Sequence, residues 1–166
     1  GGELYGKAAA EAVKYRLPGD GLSLINLPEQ FPNHWYEMKT GEKNCYRLEL
    51  GRIDFPFLSF NANLFIDQIE LIIEAARCQD CDVMEVVFQD DDCQDCDDVT
   101  IICQRSAVLG NKAFHGILVR EFPVSNERAF LGNLCFPKNM EIKNLYLLIT
   151  YRADPFVCQS DEIDCC

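Results

Sequence analysis

Two copies of a cysteine–aspartate motif carry the side chains in this sequence best suited to chemistry. Cys78-Gln-Asp-Cys81-Asp recurs fifteen positions later as Cys93-Gln-Asp-Cys96-Asp. Four thiolates in two CxxC pairs are the donor set of a structural zinc site, because sulfur satisfies this borderline-soft ion in a closed tetrahedron. Asp90, Asp91 and Asp92 in the same stretch are hard oxygen donors of the kind calcium takes, although the EF-hand spacing and its glycine are missing. The spacing argues against zinc. Residues 83–88 alternate as one strand, which at about 3.3 Å per residue holds the two CxxC pairs roughly 20 Å apart. Carboxylates crowded around a thiol also raise its pKa and weaken metal capture at neutral pH. The two motifs fit the turns of a β-meander equally well. On that reading Cys78, Cys81, Cys93, Cys96 and Cys103 are disulfide candidates, with Cys103 returning to the end that holds Cys78 and Cys81. Zinc, disulfides and free thiols all stay open on the residues alone.

The remaining candidates are more scattered. His34 and His115 are the only histidines. Either could activate a cysteine, since such partners meet in space and not in sequence. His34 sits among aromatics beside Trp35, and 111–116 reads as a loop around His115, so packing roles are expected for both. Asp54 and Asp67 could pair as acid and base, but nothing in their spacing brings them together. No GxSxG, GxGxxG or P-loop occurs. No catalytic residue is assigned, and the chain is expected not to be an enzyme. Trp35, Tyr36 and Phe57, with Phe55 and Phe60, could stack on a sugar. A cluster of this kind more often closes the end of a sandwich.

Composition narrows the partners. The formal charge is −12, and the stretch 78–98 holds eight Asp and one Glu with no Lys or Arg, leaving only −3 for the rest. A nucleic-acid partner, which needs a basic footprint, is disfavoured. A basic protein or a cation is the electrostatic alternative. Ten cysteines favour an exported protein or a thiol-rich anaerobic cytosol. No apolar run approaches the roughly 20 residues that span a bilayer, and no signal peptide is expected in this chain. Gly1-Gly2 leaves open whether the chain is a fragment of a larger protein.

The elements that would position these groups are strands. Ile69, Leu71, Ile73 and Ala75 alternate with polar residues, and Leu145, Leu147, Ile149 and Tyr151 share one face of 142–152. A period of two marks a strand with one buried face. Shorter strands are predicted at 46–50, 83–88, 99–104, 117–121 and 129–136. The fold class is therefore all-β, an antiparallel β-sandwich of seven to eight strands. Residues 7–16 suit a short N-terminal helix or an extended lead-in. Pro28 and Pro32 exclude a central strand at 27–35. The expected organisation is a lead-in at 1–26, a sandwich at 27–153 with the insert 78–98, and an acidic cysteine-containing tail at 154–166.

Three segments carry a family resemblance. They are Leu27-Pro-Glu-Gln-Phe-Pro with His34-Trp35-Tyr36, then Asp54-Phe-Pro-Phe with Ile66-Asp-Gln-Ile-Glu-Leu, then Ile142-Lys-Asn-Leu-Tyr-Leu-Leu-Ile-Thr-Tyr-Arg-Ala. In this order they resemble the C-terminal β-sandwich of the A component of Tc (ABC-type) insecticidal toxin complexes and related toxin-like proteins. The match covers about residues 24–76 and 129–153. Asn144 stands where the family has Asp, and the cysteine–aspartate stretch is no part of its pattern. The resemblance implies a secreted, non-catalytic module that docks another toxin component, with no catalytic residue to carry over. A carbohydrate-binding sandwich, and a zinc or calcium module, are the rival expectations.

Overall fold

The computed structural model describes residues 21–55, 62–76, 81–90 and 97–155. The predicted N-terminal helix and residues 156–166 of the predicted acidic tail lie outside them, whereas residues 154 and 155 of that tail belong to the last strand. The elements run β1 (Gly21–Asn26), α1 (Leu27–Gln30), α2 (Pro32–Thr40), β2 (Cys45–Leu50), a 3-10 turn at Arg52–Asp54, β3 (Ala62–Ala76), β4 (Val83–Gln89), β5 (Val99–Arg105), β6 (Phe114–Val124), β7 (Ala129–Cys135) and β8 (Glu141–Pro155).

The strand order is β1-β8-β3-β6-β5-β4-β7-β2. β1 pairs with β8, β2 with β7, β3 with β6 and β4 with β5, all antiparallel. That is one long hairpin, with β1 to β4 as one arm and β5 to β8 as the other. Rolling it up adds the ladders β3–β8, β4–β7 and β5–β6. The outcome is a jelly roll, in which β1-β8-β3-β6 and β2-β7-β4-β5 form two layers. The β5–β6 ladder holds only Gln104↔His115 and Arg105↔Phe114. The sheet turns from one layer to the other at this short seam.

Side-chain parity explains the core. Ile69, Leu71 and Ile73 of β3 meet Leu145, Leu147 and Ile149 of β8, Val86 and Phe88 of β4, and Tyr46, Leu48 and Leu50 of β2 in one buried cluster. Phe88 and Phe122 touch edge to face across the layers, with ring centroids 5.8 Å apart. The alternation breaks at Ile72, which faces outward. It is buried there with Tyr146 and Leu148 beneath Leu109 and Ala113 of the β5–β6 loop.

Several boundaries differ from the sequence expectation. β1 pairs along its whole length with β8, so residues 21–26 belong to the sandwich and not to the lead-in. Residues 114–116 continue β6, so His115 is a strand residue and not a loop residue. The two prolines that bar a strand at 27–35 instead open α1 and α2. A missing N–H costs nothing in a first helical turn.

Gly116 marks a close approach across the β5–β6 seam. A Cβ there would lie 2.3 Å from the Cys103 sulfur and 2.9 Å from Ile101 Cγ2. Gly116→Ala is expected to cost roughly 1–3 kcal/mol through overpacking. Part of that loss should return in the Gly116→Ala/Cys103→Ala double variant. Urea midpoints of the wild type, the two single variants and the double variant check this. Equal losses with and without the Cys103 sulfur would show that this contact is not the cause.

Candidate functional site

β4 separates the two ends of the cysteine–aspartate segment, with Asp82 before it and Asp90 after it. Cys78, Cys93, Cys96, Asp91 and Asp92 lie outside the described residues. Cys81 is disulfide-bonded, and its carbonyl accepts a 2.7 Å hydrogen bond from Arg105 Nε. A disulfide sulfur offers a metal no thiolate. Asp90 accepts a hydrogen bond from Arg120, whose guanidinium lies over Phe88 and Phe122. Among the described residues no three metal-ligating side chains converge.

The clearest bridge was not among the candidates. Cys45 on β2 and Cys135 on β7 are register partners and form a disulfide. Nothing local signals it, because 90 positions separate the two residues. Cys103, expected to bridge at the Cys78 and Cys81 end, instead carries a free buried thiol. It shares the inward parity of Ile101, which turns it away from the turns and into the core. Burial pushes its pKa up to about 12, so the reactive thiolate is scarce at neutral pH. Iodoacetamide at pH 8 is expected to leave Cys103 unmodified in the folded chain and to label it in urea. Peptide mass spectrometry reads both states, and native-state labelling would contradict the burial.

Among the described residues, neither histidine is paired with a nucleophile. His34 Nε2 lies 3.1 Å from Glu49 Oε2, and its Nδ1 lies 3.6 Å from Glu37. The Glu49 carboxyl is held below the usual glutamate range, first by the hydrogen bond from Arg47 and further by His34. Beside it, burial raises the Tyr46 phenol and keeps it neutral. His115 faces outward, 3.9 Å from Glu70. Cys103 is a near neighbour across the β5–β6 seam but points inward, so the two form no nucleophile–base pair. Asp54 accepts hydrogen bonds from Gly51 N and from Arg128, each at 2.9 Å, while Asp67 pairs with Arg152. The two carboxylates thus serve separate arginines and do not act together.

The aromatic candidates do not form one platform. Trp35 packs against the core, with Lys39 Nζ 5.8 Å from its ring centroid, whereas Tyr36 is 68% exposed. Consecutive helix residues point about 100° apart, which separates the two rings. Phe57 lies outside the described residues. Phe55 is buried edge to face against Tyr151 at 5.0 Å, the sandwich-closing role.

What the surface does bring together is apolar. Ile102 on β5 and Ile117 and Val119 on β6 are exposed by 48%, 44% and 77%. They lie on the outer side of the β5–β6 seam, with Glu70 and Gln68 as the β3 partners of Ile117 and Val119. The sequence signal was Gly116-Ile-Leu-Val119, which is apolar at both parities, whereas a strand with one wet face alternates.

Fold and surface together define an antiparallel jelly-roll module with an exposed β-branched strip. No protein-family model matches the chain, and no curated protein matches it. Among solved structures it is similar to the cryo-EM structure of the giant freshwater prawn Macrobrachium rosenbergii extra small virus VLP. Identity is 14% over 86% of this chain and 84% of that one, with a TM-score of 0.43. The jelly-roll assignment rests on the strand pairings and takes nothing from that distant likeness.

Proposed function

We propose that this chain is a non-catalytic protein–protein interaction module. The observation that carries the reading is the cluster of Ile102, Ile117 and Val119, exposed on two strands that meet at the seam. Isolated apolar residues on a surface need no explanation, but a contiguous set marks a contact surface. The groups that could do chemistry support the same reading, since His34, Asp54, Asp67 and Asp90 are each engaged by a different neighbour. The sequence resemblance to the Tc toxin A component extends the proposal to a secreted toxin-like complex. The Cys45–Cys135 bridge suits an oxidising compartment.

The test is co-expression of the chain with the products of the genes beside its own. A complex of fixed stoichiometry in size-exclusion chromatography with light scattering is the expected result. Failure to associate with any neighbour, together with turnover in a hydrolase substrate panel, would overturn the reading.

A further inference from the structure

The apolar strip on the outside of the β5–β6 seam carries opposite charges at its two ends. Thr100, Ile102 and Gln104 on β5 and His115, Ile117 and Val119 on β6 point outward, since the residues between them are buried. None of the six is Asp, Glu, Lys or Arg. Carried forward from Gln104↔His115, the ladder sets Ile102 level with Ile117. Both line one open groove of about 400 Å³. Asp98 stands at the start of β5, four residues before Ile102 and so roughly 13 Å from it along an extended chain. Lys112 stands at the other end of the strip, in the turn that leads into β6 at Phe114. Both charged side chains are exposed. Their charged neighbours are engaged within the chain, Glu121 by Arg152 and Arg105 by the carbonyls of Cys81 and Asn111.

This order of charge decides how the strip can meet a second copy of itself. In a two-fold contact residue i touches j while j touches i. An axis running along the strands would lay the acidic end of one copy on the acidic end of the other. An axis crossing the strands at Ile102 and Ile117 reverses their direction. It stacks Ile117 on its own copy, sets Val119 against the copy's His115, and brings Asp98 to the copy's Lys112. Acid at one end, base at the other and no charge between is the pattern that this second arrangement requires. Glu70 and Glu85 are level with Ile117 and Ile102, one strand further out on each side. They belong to strands of opposite layers, so the bend at the seam turns them away from the axis.

We propose that the outer faces of β5 and β6 pair with the same faces of a second copy of this chain, about a two-fold axis that crosses the strands at Ile102 and Ile117. The inference rests on the interaction reading above and names the partner. The centre of the contact covers Ile102, Ile117 and Val119, three of the large apolar side chains exposed on the described surface. Repulsion between two chains of net charge −12 works against pairing. It is screened over about 8 Å at physiological ionic strength, whereas the apolar centre and the Asp98–Lys112 contacts act at shorter range. Six side chains from each copy are fewer than the 20 or so of a standard interface, so the dimer is a weak one that forms as the chain is concentrated.

Sedimentation equilibrium of the whole chain, from micromolar to sub-millimolar concentration at physiological salt, tests the pairing. A monomer–dimer equilibrium with no larger species is expected, because a two-fold contact closes on itself. Ile117→Asp, which puts two carboxylates face to face at the axis, should weaken association by about tenfold or more. Lys112→Asp and Asp98→Lys should each weaken it by about tenfold, since every contact occurs twice. The double exchange Lys112→Asp/Asp98→Lys should return it to within about threefold of the wild type. All three sites are exposed, so each variant should keep a cooperative unfolding transition. A monomer at every concentration, species larger than a dimer, a dimer indifferent to Ile117→Asp, or a double exchange no better than either single one would overturn the assignment. These results leave the interaction reading intact, because that reading is judged by complex formation with the neighbouring gene products.

Discussion

Leu147→Asp is expected to leave no cooperative unfolding transition at 25 °C. Leu147 lies between Ile25 of β1 and Leu71 of β3 in the ladder and is fully buried. Removing a buried leucine alone costs about 2–5 kcal/mol. Placing a carboxylate there adds several kcal/mol, or forces it to hold a proton. The sum reaches the roughly 5–15 kcal/mol that stabilises an ordinary domain. Near-UV circular dichroism and a urea titration check the outcome. Val119→Asp, at an exposed site on the same half of the sheet, should shift stability by no more than about 0.5 kcal/mol. A native-like transition for Leu147→Asp would mean that the inward face of β8 has been assigned to the wrong parity.

Removing the Cys45–Cys135 bridge in a Cys45→Ser/Cys135→Ser variant is the second large effect expected. The bridge ties residues 90 positions apart. Loop-closure entropy for such a span is worth about 4.6 kcal/mol on the chain-entropy account. In a chain of this size that corresponds to a fall of roughly 10 °C in Tm. The loss should concentrate in β2, an edge strand bonded only to β7. Differential scanning calorimetry gives the total, and hydrogen exchange shows whether β2 and α2 loosen before β3 and β8. A Tm within about 2 °C of wild type would mean that the β2–β7 ladder and Tyr46, Leu48 and Leu50 hold the edge unaided.

Much of the architecture was legible along the chain, and the reasons are local. Ile69, Leu71 and Ile73 alternate because a strand with one wet face must present every second side chain to the core, and β3 does so. Met84, Val86 and Phe88 follow the same rule in β4. Pro28 and Pro32 were read correctly as barring a strand, but their second role, opening α1 and α2, depends on Leu27, Phe31 and Met38 finding a core to fill. The sequence reading puts His115 in a loop at 111–116, whereas it lies in β6. Gly116 is the residue that lets Cys103 pack against β6, a requirement set by a strand eleven or more positions away.

The candidate site shows the same division more sharply. Cysteine spacing drew attention to Cys78, Cys81, Cys93 and Cys96, whereas the bridge formed by described residues joins Cys45 and Cys135, which no local pattern links. The exposed strip at Ile102, Ile117 and Val119 was hidden for a related reason. Whether an apolar strand residue is covered or bare depends on which loop crosses it. Leu109 and Ala113 cover Ile72, Tyr146 and Leu148 and stop short of Val119.

Alternation along the backbone is a property of neighbours two positions apart, so strand identity, strand face and the all-β class could be written down from residue order. Which strand lies beside which, where the sheet bends, and which edge is left open follow from contacts between distant segments. Those contacts form only when the whole hairpin rolls up to bury both inner faces at once, and no stretch of a few residues carries that information.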